Sequence, residues 1–134
     1  SSAERALGAP RSALINSLFS AIAERNLETA LQTLSEAASG GFEMKMFIKL
    51  LLHKARLALL LRYAKAMEPQ IKDMLSAEDF ALLKNIAENK RAFLNSRVLS
   101  ELLSAYELSA RTHSLELPLE LALIKLLGDN SDES

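Results

Sequence analysis

The chain is 134 residues long, contains no cysteine and has a formal net charge of −1. Those facts exclude a disulfide scaffold, thiolate metal sites and cysteine nucleophiles, and with them the strong positive field of a dedicated nucleic-acid binder. The length fits one domain whose core is large enough to fold without a metal or a cross-link.

Residue choice sets the fold class. There are 28 Leu and 20 Ala against 6 Ile, 3 Thr and 1 Val. Leu and Ala lose little side-chain freedom in a helix, whereas the β-branched residues that suit a pleated surface are scarce. No stretch alternates apolar and polar residues. The expectation is an all-α, compact bundle of six or seven helices. No segment resembles a signal peptide, and the uncharged run Leu57 to Leu61 in the most apolar region is too short to span a bilayer. Together with the lack of cysteine, this fits a cytoplasmic location.

Glycine and proline divide the chain. The first helical segment is expected from about Arg11 to Arg25, where Ile15, Leu18, Phe19 and Ile22 form one apolar stripe. Asn26 is a candidate cap for a second, Leu27 to Ala38, with Leu27, Ala30, Leu31 and Leu34 as its stripe. The break is short and one continuous helix is the alternative. Two are favoured, because two stripes can then close on each other. Gly40-Gly41 ends that segment by tolerating left-handed geometry. The third, Phe42 to Ala66, would be roughly 36 Å long and end at Pro69. A turn over Gln70 to Leu75 follows. Ser76 with Asp79 resembles a capping box for a helix from Ala77 to Glu88, with Phe80, Leu83, Ile86 and Ala87 buried. Asn95 or Ser96 caps the next helix, to about His113, with Leu99, Leu102, Leu103, Tyr106 and Ala110 as its stripe. Pro118 suits the first turn of a last helix ending at Gly128, whose apolar run Leu121 to Ile124 suggests burial on most sides.

The long third segment is the most informative. With Lys45 at zero on a helical wheel, Lys49, His53 and Arg56 fall at about 40°, 80° and 20°, forming one basic ridge. Lys54, Lys65 and Arg62 fall on a broader opposite side. Two apolar arcs lie between them. One holds Met46, Leu50, Leu57 and Leu61; the other holds Leu51, Ala55, Ala58 and Leu59 with Ile48 and Leu52. Both arcs can be internal, with the basic stems reaching outward. Alternatively one arc packs internally and the second meets a neighbouring subunit, which makes Leu51, Ala55, Ala58 and Leu59 the candidate interface.

No catalytic motif is present: no glycine-rich phosphate loop, no Gly-x-Ser-x-Gly elbow and no His-Glu-x-x-His. His53 and His113 have no His, Asp or Glu at i±4, so surface or packing roles are expected rather than metal binding. Glu116 and Glu120 suit the start of a helix, where the dipole favours negative charge. The segment Phe42 to Ala66 has six Lys/Arg and one Glu, but no aromatic residues interleave with them as a single-strand stacking platform requires. A solvated ridge is the default reading, and phosphate contact by Lys45, Lys49, His53 and Arg56 the alternative. No catalytic, cofactor-binding or metal residue is expected.

Four stretches carry a family resemblance. They are Ala6-Leu7-Gly8-Ala9-Pro10; Leu14 through Leu34 with its break at Arg25-Asn26; Phe47 through Arg56 followed by Leu59-Leu60-Leu61; and Leu117-Pro118 through Leu126. In this order and spacing they resemble the C-terminal helical collar domain of the bacterial DNA polymerase III gamma/tau subunit, part of the sliding-clamp loader. Related delta subunits share this domain type. The resemblance covers about Ala6 to Gly128.

It implies a non-catalytic oligomerisation domain. In the family, five such domains associate into a ring that holds ATPase modules, which open the clamp and load it on primed DNA. The implied partners are other clamp-loader subunits, whether copies of this chain or of delta and delta-prime type, and a small accessory subunit. No cofactor, direct DNA contact or membrane is implied, and a chain without the ATP-binding modules should show no ATPase activity. Residues 1–10 are then expected to be a linker from an upstream module or an artificial remnant, 11–128 the helical collar domain, and 129–134 an acidic tail. Competing readings are a helical docking module that takes a partner's peptide into a groove, and a DNA-binding accessory domain using the basic long helix.

Overall fold

The computed structural model describes residues 11–112 and 116–128. Among these residues there are seven α-helices and no strand: α1 (Arg11–Ala23), α2 (Leu27–Ser39), α3 (Met44–Tyr63), α4 (Glu68–Met74), α5 (Ala77–Glu88), α6 (Ser96–Ser109) and α7 (Leu117–Leu123). A 3₁₀ turn over Lys65–Met67 joins α3 to α4, and a π turn over Ile124–Gly128 follows α7. The all-α bundle expected from Leu and Ala content is the fold observed. Residues 1–10, His113 and the acidic tail 129–134 lie outside the described residues.

Local chemistry places the breaks. Arg25 adopts a left-handed φ of 59°, and the amides of Arg25 and Asn26 turn back to the carbonyls of Ile22 (3.0 Å) and Ala21 (2.9 Å). That pattern closes α1, and the Asn26 carboxamide then accepts the Thr29 amide at 3.1 Å to open α2. The break is therefore real, and α1 and α2 pack on each other as a helical hairpin. At the end of α2, Gly41 takes φ 86°, while the amides of Gly41 and Phe42 bond the carbonyls of Ala38 and Ala37. Ser76 caps α5 through the Asp79 amide, and Asn95, rather than Ser96, caps α6 through the Val98 amide, each at 3.1 Å.

Three boundaries differ from expectation. Helix α3 ends at Tyr63 rather than Ala66, and Pro69 does not end it. Proline has its φ preset for a helix start and needs no donor there, so Pro69 occupies the first turn of α4. The segment read as a turn over Gln70 to Leu75 is mostly α4, which buries Ile71. Helix α6 ends at Ser109, short of His113.

Helix α3 is the hub, packing against α1, α5 and α6, while α7 covers α6 and α2. Lys45 lies 5.6 Å from the Tyr106 ring, near the end of α6, and Arg62 bonds Leu94, just before its start. Helices α3 and α6 therefore run antiparallel. Phe19, Phe47, Ile48, Leu51, Leu57 and Leu83 are among the largest fully buried side chains.

Two cations of α3 point inward. The Arg62 guanidinium donates to the carbonyls of Leu94 (2.6 Å), Asn89 (2.7 Å), Ala87 (3.0 Å) and Ile86 (3.4 Å). Those carbonyls lie at the end of α5 and in the loop after it, and those of Ile86 and Asn89 also accept the amides of Asn89 and Ala92. The Lys54 ammonium bonds the Asn16 amide oxygen at 2.7 Å and the Asp79 carboxylate at 2.8 Å, while Asn16 Nδ2 donates to Asp79 at 3.0 Å. This closed triangle joins α3, α1 and α5. Hydrogen bonding from Lys54 holds the Asp79 carboxyl below the usual carboxylate range. Partial burial opposes that shift, and Asn16 reinforces it.

Two predictions follow from these anchors. An ammonium cannot reproduce a planar fork that reaches four carbonyls, so Arg62→Lys should lower unfolding free energy by about 1.5–3 kcal/mol, read as a lower urea midpoint at unchanged slope. Because Asp79 is a stronger acid when folded, its contribution is fully present above the ordinary carboxylate pKa of about 3.9 and is lost as pH falls through its depressed value. Urea midpoints measured from pH 6 down to pH 3 should therefore fall less steeply for Asp79→Asn than for the wild-type chain.

Candidate subunit-contact surface

Helix α3 divides its circumference cleanly. Lys45, Lys49, His53 and Arg56 are all exposed, so the basic ridge read from the wheel is a solvent face. It carries no acidic residue between Met44 and Tyr63. Lys49, His53 and Arg56 make no ion pair with any described residue. Met46 and Leu50 lie beside the ridge, 42% and 37% exposed. The outer face of α3 thus mixes Lys45, Lys49 and Arg56 with two uncovered apolar side chains.

The apolar arcs are placed the other way round from the expectation that the second one meets a neighbour. Leu51, Ala55 and Ala58 are 0% exposed, and Leu59 is half-buried. Leu51, Ala55 and Ala58 face the chain's own α-helices and have no surface left for a subunit, while Leu59 keeps only part of its surface. The reason lies on the wheel. Lys54, at about 180°, is drawn inward by Asp79, so the helix turns that side and the neighbouring Leu51 arc toward the core. The other arc splits: Leu57 and Leu61 are buried, whereas Met46 and Leu50, about two to four turns nearer the N-terminus, are not.

A second uncovered apolar row lies on α7 and its π turn. Leu117, Leu121 and Ile124, at i, i+4 and i+7, are 41%, 39% and 38% exposed, while Leu119, Ala122, Leu123 and Leu126 are buried. The expectation that this helix is buried on most sides is corrected by that row. Its spacing was visible in the sequence, but a helix apolar all round gives no sign of which side is left open.

Among the described residues no group of three or more His, Asp or Glu could hold a metal ion, and no helix is long and apolar enough to cross a membrane. No buried side-chain nitrogen or oxygen among them lacks a hydrogen-bond partner. The interior is closed, so what the fold offers to other molecules is its outer faces.

Truncation separates the two arcs. Leu51→Ala should cost about 2–5 kcal/mol of folding stability, as deletion within a closed core does. Leu50→Ala should leave the melting temperature close to wild type, since Leu50 keeps much of its surface in water. Equal losses in thermal melts of the two variants would contradict this placement.

The family model described as DNA polymerase III subunits gamma and tau domain III matches residues 1–132. Neither a curated protein nor a solved structure matches the chain. With nearly its whole length matched and an all-helical fold, the chain belongs to the family of domain III of the DNA polymerase III gamma and tau subunits.

Proposed function

We propose that this domain is a non-catalytic oligomerisation unit of a clamp-loader subunit. It packs helix to helix with neighbouring subunits into the collar that holds ATPase modules for loading the sliding clamp. Family membership supports the setting. The observation that carries the role is the pair of uncovered apolar rows, Met46 with Leu50 on α3 and Leu117 with Leu121 and Ile124 on α7. Both sit on helices whose inner sides are packed. Apolar side chains aligned in rows on a closed block mark contact surfaces. Rows on two different helices suit a subunit that touches more than one neighbour.

The partners in this reading are copies of this chain and subunits of delta and delta-prime type; a small accessory subunit is a further candidate. The domain itself does no chemistry. Its part is to fix the spacing and orientation of modules joined to it, and the anchoring of α3 by Arg62 and Lys54 gives it the stiffness for that.

Sedimentation tests the proposal. The chain, alone or with clamp-loader subunits, should form species larger than a monomer in a concentration-dependent way. Leu121→Glu should weaken assembly with those clamp-loader subunits by at least about tenfold, because it places a charge in a desolvated contact. Its far-ultraviolet circular dichroism should be unchanged. A wild-type chain that stays monomeric both alone and with those subunits would refute the reading.

A further inference from the structure

Resting on that reading, we infer that the basic outer face of α3 in one copy docks into the groove between α1 and α5 of a second copy, head to tail. The groove is formed by two open pockets of about 490 and 150 Å³ that share Ser20, Glu24 and Leu82. Ser17 and Ser20 line it from α1, Glu24 from the turn just after α1, and Glu78, Leu82 and Asn85 from α5. Among the described residues, the only charged ones in its lining are Glu24 and Glu78, both exposed, and neither makes an ion pair with a described residue. Half-buried Leu82 gives it an apolar spot among small polar side chains.

The two faces are complementary in sign, size and chemistry. Lys45, Lys49 and Arg56 supply positive charge where the groove supplies Glu24 and Glu78. Met46 and Leu50 supply apolar surface for Leu82. Small residues, Ser17, Ser20 and Ala21, let a helix approach closely. Lining residues run from Glu78 to Ile86, about 12 Å along α5, with Asn89 just beyond its end, and the ridge from Lys45 to Arg56 is about 16 Å long.

Geometry excludes both faces from serving one two-fold contact. Lys54 reaches Asn16 of α1 and Asp79 of α5 from one side of α3, and the ridge lies on the opposite side of the same helix. The ridge and the groove therefore look away from each other. A contact between them is heterologous: each copy gives its ridge to one neighbour and its groove to another. Such contacts close into a ring when the rotation per copy permits. Pairing ridge with ridge would instead oppose like charges, which disfavours the two-fold alternative.

Charge exchange tests the pairing. One variant carries Lys49→Glu and Arg56→Glu, and the other Glu24→Lys and Glu78→Lys. Melting curves confirm that each is folded. Each alone should self-associate at least about tenfold more weakly than wild type, and an equal mixture should recover association to within about threefold, because both junctions then meet opposite charges. A single chain carrying all four substitutions should recover in the same way. Wild-type association should also weaken as salt rises from 0.05 to about 0.5 M. Loss in both variants without recovery in the mixture overturns the pairing, as does wild-type-like assembly of either variant. If the ridge variant assembles normally but no longer binds a duplex DNA oligonucleotide that wild type binds, the ridge contacts phosphate and the inference is wrong. In each of these cases the wild-type chain still assembles, so the oligomerisation reading survives; a wild-type chain that never assembles sinks both.

Discussion

Everything in this fold depends on how one helix disposes of its cations. Helix α3 carries Lys45, Lys49, Lys54, Arg56 and Arg62 and no acid, yet it is the hub against which α1, α5 and α6 pack. A helix cannot be central and cationic unless its inward cations find partners inside. Lys54 and Arg62 are those cases. Lys54 is held by a carboxylate and an amide from two other helices. Arg62 is held by main-chain carbonyls at the end of α5 and in the loop after it. Each anchor therefore meets two needs: it gives the cation a partner, and it fixes the place of a neighbouring element. The remaining cations, Lys45, Lys49 and Arg56, have no such partners and are left on the outside.

The same logic ties down the segment between α5 and α6, which has little regular structure. Arg62 holds the carbonyls of Asn89 and Leu94. The Phe93 amide donates to the Ala23 carbonyl at 2.8 Å, and the Arg25 guanidinium lies 4.1 Å from the Phe93 ring. Arg25 occupies a left-handed conformation that ordinarily costs a residue with a side chain about 1–2 kcal/mol. Its stacking on Phe93 offsets part of that cost, since a cation over an aromatic face contributes about 0.5–2 kcal/mol. The α1–α2 turn and the α5–α6 connection thus brace each other.

Local signals were legible and long-range ones were not. Asn26, Ser76 and Asn95 could be read as caps because the side chain and the amide it accepts lie three residues apart. The apolar stripes of α1, α2 and α5 were legible for the same reason, as was the basic ridge of α3. Two apolar arcs on α3, however, are equivalent on a wheel. What distinguishes them is the partner of Lys54, Asp79, which sits on another helix. Asp79 itself looked like half of a capping box, and its carboxylate is instead spent on Lys54 and Asn16. Pro69 was misplaced because proline after a helix and proline at the start of the next one leave the same mark on a sequence. The open row on α7 was hidden by buried leucines between its members.

The segregation of charge has a consequence for how such a domain can associate. A net charge of −1 conceals a basic face on α3 and an acidic side where α1 and α5 meet. Folding does not require this. Interspersed charges would serve solubility as well and would lower repulsion within each face. Placed on opposite sides of the hub helix, however, the two faces give the molecule a direction. A copy placed the wrong way round meets its own sign of charge; a copy placed head to tail meets the opposite one. The apolar side chains beside the ridge, Met46 and Leu50, then become buried only in the second arrangement. Charge in this design does little for affinity by itself, since exposed pairs contribute about 0–1 kcal/mol each. In the proposed head-to-tail contact it would decide orientation, by penalising the alternatives, while removal of apolar surface from water would supply the attraction.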